Sequence, residues 1–68
     1  MRELTYHVPD MHCEACENGI RSSVNRLDGI ERVDVDLTHK HVTVRFDDGQ
    51  TDELAIKAQI EKAGFEVG

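Results

Sequence analysis

Apolar residues in this chain recur at two spacings, and the order in which those spacings follow one another leaves few folds open. Leu4, Tyr6 and Val8 alternate with Thr5 and His7, the period of a strand from Glu3 to Val8 with one buried face. Pro9 has no N–H to offer a ladder and ends that strand. Cys16, Ile20, Val24 and Leu27 then step by four, four and three, which makes one stripe along a helix from about Glu14 to Leu27. Glu14 and Glu17 near its start and Arg26 near its end complement the helix dipole, and Asp28-Gly29 supplies the stop.

Period two returns in Val33, Val35 and Leu37 and, after a turn near His39-Lys40, in Val42, Val44 and Phe46. These predict an antiparallel hairpin of Ile30 to Leu37 with His41 to Phe46. Asp47-Asp48-Gly49 forms the next turn, after which Thr51 is positioned to N-cap a second helix with Asp52 and Glu53 in its first turn. Its stripe is Ile56, Ile60 and Ala63, with Leu54 and Ala58 on the flanks, and Gly64 terminates it. Phe65 to Val67 is long enough for a short final strand. The resulting order, βαββαβ, is an α+β domain: a four-stranded antiparallel sheet with two helices on one face. The other face is open, and Asp34, Thr43 and Arg45 are expected on it.

At 68 residues, the chain reads as one domain over 1–68, close to the size at which a core barely suffices; such a chain buries only about 60% of its unfolded surface. The formal charge of −6 argues against nucleic acid, which is bound by Lys and Arg neutralising phosphates. No apolar run reaches the roughly 18 residues of a membrane span, and the first residues lack the apolar segment of a secretory signal. The expected setting is therefore cytosolic, in a freestanding protein or a module of a longer one. In a reducing compartment a single cysteine pair points to metal binding or redox chemistry more than to a structural staple.

That pair is Cys13 and Cys16, the only cysteines, within Met11-His12-Cys13-Glu14-Ala15-Cys16. Cys13 falls just before the first helix and Cys16 in its first turn, where unpaired N–H groups and the helix dipole favour thiolate. Two metal–sulfur bonds end to end span roughly 4.6 Å, taking about 2.3 Å for each. Residues three apart at a helix start can meet that reach.

Met-x-Cys-x-x-Cys between a first strand and a first helix resembles the heavy-metal-associated domain family, which includes cytosolic copper chaperones, the metal-binding domains of P-type ATPases and the periplasmic mercury-binding protein. The likeness extends through Ile20, Val24, Leu27, Gly29-Ile30, the hairpin and Ile60-Glu61-Lys62-Ala63-Gly64-Phe65. It implies a ferredoxin-like plait whose Cys13 and Cys16 bind Cu(I) and pass it by ligand exchange to a copper-transporting P-type ATPase or another C-x-x-C domain. It also implies a non-enzymatic protein, with Met11 as an apolar tether that does not ligate metal, and Phe65 as cover for the site. A monomer is expected, with a copper-bridged dimer as the alternative. Two features depart from the family: Pro9-Asp10 stands where Gly usually precedes the Met, and Phe65 takes the place of the Lys of many eukaryotic chaperones, as in bacterial ones.

Other readings compete with this one. A thiol-redox pair lacks the thioredoxin-like pattern. His12 is expected to be a solvent-facing loop residue, with a modulating or ligating role as the alternative, and Asp10 or His12 completing a harder zinc site defines a second functional reading. Acylphosphatase-type enzymes share the plait, but their Arg and Asn pair cannot be placed here. His7, His39 and His41 are expected to be exposed and unrelated.

Overall fold

In the computed structural model, which describes residues 1–67, the period-two stretches pair into one sheet and the stripes of spacing three and four become two helices. The elements are β1 (Arg2–His7), α1 (Glu14–Val24), β2 (Ile30–Asp36), β3 (His41–Phe46) and α2 (Glu53–Lys62). β3 lies between β1 and β2, antiparallel to both. Its register sets Leu4 opposite Val44 and Tyr6 opposite Val42 on one side, and Val33 opposite Val44 and Val35 opposite Val42 on the other. The side chains that alternate in sequence thus share one face, and both helices cover it.

The core comprises Val8, Met11, Ile20, Val24, Val33, Val42, Val44, Phe46, Ile56 and Ile60. Each such side chain contributes roughly 1.5–3 kcal/mol on full burial, so ten of them carry most of the stability of so short a chain. Polar contacts tie the layers together. Arg21 donates to the Val33 carbonyl (2.6 Å) and to Glu17 (3.2 Å), fastening α1 to edge strand β2, and the Tyr6 hydroxyl donates to the Glu53 carbonyl (3.1 Å) at the start of α2. The uncovered face carries Thr5 and Thr43, whose hydroxyls are 3.1 Å apart, and the pairs Arg32–Asp34 and Arg45–Glu31.

Several expectations need correction. Among the described residues the sheet has three strands, not four: Phe65–Val67 forms no ladder. The Phe65 N–H is turned back to the Ile60 carbonyl (3.4 Å) at the end of α2, which leaves only Glu66 and Val67 for pairing. Helix α1 stops at Val24 rather than Leu27, because the N–H groups of Arg26 and Leu27 bond three residues back and tighten the chain into a turn. Leu27 still packs on the core. The N-cap of α2 is Asp52, not Thr51; its carboxylate accepts from the Ala55 N–H at 2.9 Å. Leu54, expected on the flank of the α2 stripe, is 72% exposed, and Ala58 is exposed as well. The helix thus buries a narrower stripe than its composition suggests.

Candidate metal centre

Between β1 and α1 the chain turns sharply, with the Met11 N–H bonded to the Val8 carbonyl at 3.2 Å. Pro9 and Asp10 sit exposed on the turn, whereas Val8 and Met11 on either side are wholly buried. The loop is therefore anchored at two points in the core, and Met11 has the tethering position expected of it. With Met11 inside, His12 and Cys13 face outward.

Cys13 is the N-cap residue of α1, in extended backbone (φ −146°, ψ 168°), and its carbonyl accepts from the Glu17 N–H at 3.1 Å. Its side chain caps nothing and stays available. Cys16 lies in the first turn, half-buried against the core. The two Sγ atoms are 3.1 Å apart, well beyond the roughly 2.05 Å of a disulfide. They are free cysteines sharing one proton-mediated contact. The Cys16 thiol is held below the usual thiol range, first by the Cys13 side chain and next by a main-chain contact at His12, against a smaller opposing effect of burial.

A further group reaches the loop that the sequence did not reveal. Lys40, at the hairpin tip, places its ammonium 2.6 Å from the Met11 carbonyl and 3.3 Å from His12 Nδ1. An ammonium only donates, so His12 Nδ1 is engaged as an acceptor in this arrangement. Lys40 takes up a left-handed backbone (φ 60°) to do so. The β1–β3 register carries the clue: His7 pairs with His41, and the Val8 N–H bonds to the Lys40 carbonyl at 2.7 Å, so Lys40 is level with the start of the loop.

Asp10 and Glu14 are exposed, and Phe65 is half-buried against the core. Among the described residues no three His, Cys, Asp or Glu side chains are arranged to hold an ion. The loop thus offers two sulfurs and a nearby cation. A two-sulfur site suits soft ions, whereas structural zinc takes four protein ligands.

An α+β domain with two free cysteines at the mouth of its first helix has the arrangement of a small metal-binding domain. The chain belongs to the heavy-metal-associated domain family, whose model matches residues 5–66. It is 31% identical over 67 residues to the copper chaperone CopZ of Staphylococcus aureus, covering 98% of each chain. To the mercuric transport protein periplasmic component of Pseudomonas fluorescens it is 32% identical over 62 residues, covering 91% of this chain and 68% of that one. Among solved structures it is similar to a copper-binding domain from HMA7, a P-type ATPase, with a TM-score of 0.94 at 34% identity over 100% of this chain and 92% of that one.

Proposed function

We propose that this protein carries Cu(I) on Cys13 and Cys16 and transfers it by ligand exchange to a second C-x-x-C domain, such as that of a copper-transporting P-type ATPase. The observation that carries the reading is the pair of free sulfurs 3.1 Å apart at the start of α1, with the Cys16 thiol held below its usual range by the Cys13 side chain. Likeness to a copper chaperone and to an ATPase copper-binding domain supports it. Two thiolates take the ion, and any proton still on them leaves to solvent. Linear coordination requires about 4.6 Å between sulfurs, so loading moves them apart by roughly half their present separation of 3.1 Å. Because Cys13 is an exposed N-cap whose side chain caps no backbone group, it can swing while Cys16 stays packed.

Transfer follows from the same exposure. A thiolate of the receiving domain forms a new bond to copper, after which one Cys13 or Cys16 bond breaks; the exchange repeats, and the receiver's protons end on the donor's sulfurs. No oxidation state changes. The Lys40 ammonium, bound to the same loop at Met11 and His12, is the cation that would offset the negative charge of a dithiolate–Cu(I) unit, a part Phe65 cannot play. Reduced thiols require a reducing compartment, so the proposed setting is the cytoplasm. Among the described residues no helix is long and apolar enough to cross a membrane.

Anaerobic Cu(I) titration against a competing chelator tests the assignment. One equivalent should bind to the parent and none with comparable strength to Cys13→Ser or Cys16→Ser; equal binding by either variant would refute it. A second reading, mercuric ion on the same sulfurs, is favoured by the likeness to the mercuric transport protein. Competition between Hg(II) and Cu(I) at equal free concentration, with transfer to an acceptor domain as readout, separates the two.

A further inference from the structure

Three of the four histidines gather at one end of the uncovered sheet face. His7 is the register partner of His41. The Val8 N–H bonds to the Lys40 carbonyl (2.7 Å), so His7 and His41 form a pair of the non-hydrogen-bonded kind, in which opposing side chains stand closest. Thr5 and Thr43, two residues back, form the same kind of pair, and their hydroxyls touch. The His7 and His41 rings meet edge-on with centroids 5.8 Å apart, and His39 stacks over His41 at 6.1 Å.

Asp36 completes the group. It is the register partner of His41 on the other side, accepts from the His39 main-chain N–H at 3.1 Å, and lies 2.7 Å from His39 Nδ1. A carboxylate at one imidazole nitrogen is the device that orients a ligating histidine and leaves Nε2 free for metal. Lys40, between His39 and His41, would oppose a cation here, but its ammonium is drawn away to the Met11 carbonyl.

We infer that His7, His39 and His41 form a second metal site, separate from the two thiols, for one borderline divalent ion of the Zn(II), Cu(II) or Ni(II) class. With metal–nitrogen bonds of about 2.0–2.1 Å and a ring radius of about 1.1 Å, two imidazoles on one tetrahedral ion have centroids roughly 5.2 Å apart, and only ligands on opposite sides of an ion reach about 6.4 Å. The observed separations of 5.8 and 6.1 Å exceed the tetrahedral value by less than about 1 Å, so the rings must close by that much to share an ion. The nitrogens do not yet converge on one point, since no ready-made three-ligand group exists among the described residues. Rotation of the exposed rings completes the set, with Asp36 holding one of them in place. Ligand softness sorts the ions: thiolates select the soft monovalent ion, imidazoles the borderline divalent one. The net charge of −6 favours a cation at either site.

The test is a Zn(II) titration of the Cys13→Ser/Cys16→Ser double variant, in which sulfur cannot compete, followed through the imidazole nitrogen resonances. One equivalent should bind and shift the rings of His7, His39 and His41 while leaving His12 unmoved. Adding His41→Ala or His7→Ala should weaken binding at least tenfold, and adding His12→Ala should not change it; backbone spectra report whether each variant is folded. Absence of saturable binding at one equivalent, shifts confined to His12, or undiminished affinity in folded His41→Ala would overturn the site. None of these outcomes bears on Cu(I) binding by the thiols.

Discussion

The Lys40 ammonium donates to the Met11 carbonyl at 2.6 Å across the gap between the hairpin and the metal loop. One residue thereby joins the loop that presents the sulfurs to the sheet that supports it, while the buried Met11 side chain holds the same loop from beneath.

Replacing Lys40 should separate its two effects. A hydrogen bond from a charged donor contributes up to about 1.5–3 kcal/mol, whereas a left-handed non-glycine backbone costs about 1–2 kcal/mol. Lys40→Ala loses the bond and keeps the strain of φ 60°; Lys40→Gly loses both. Urea denaturation should find Lys40→Gly more stable than Lys40→Ala by about 1 kcal/mol, with both variants binding Cu(I) a few-fold more weakly than the parent.

Met11 is wholly buried, so truncation should be costly even though its expected part is packing rather than ligation. Met11→Ala is expected to lose about 2–5 kcal/mol, and Met11→Leu less than about 1.5. Met11→Leu should retain the parent's Cu(I) affinity in chelator competition. A large loss there would make the thioether a ligand.

The stability of the reduced apo protein should depend on pH through Cys16. Its thiol is held below the usual range in the folded state, chiefly by the Cys13 side chain. The folded state therefore releases its proton first, so this contribution is present above the unfolded thiol value of about 8.5. It is lost as pH falls through the lowered folded value. Anaerobic denaturation midpoints should rise with pH across that window in the parent and stay flat in Cys16→Ser.

Two glycines should respond to alanine with opposite sign. Gly29 has φ +84°, and a Cβ there would sit 2.7 Å from the Gln50 Cβ, so Gly29→Ala should destabilise by more than about 1 kcal/mol. Gly19, inside α1, meets nothing within 4 Å, so Gly19→Ala should stabilise by about 0.5–1 kcal/mol. Thermal unfolding of the two variants beside the parent reads both.

Spacing of apolar residues was enough to locate both helices and three strands, because a period of two or of three to four allows only one face to be buried. Local chemistry likewise set Cys13 and Cys16 at the start of α1, where the end of one strand and the first turn of a helix lie a few residues apart. Capping was less legible: Thr51 and Asp52 are both good N-cap types, and the helix starts so that Asp52 takes the cap. The final strand could not be judged from Phe65 to Val67 alone, since pairing depends on a neighbouring edge and on where the Phe65 N–H is spent. Lys40 beside Met11, and His7 beside His41, are meetings of residues some thirty positions apart in sequence. Spacing within a segment cannot encode such neighbours; the register between β1 and β3 creates them.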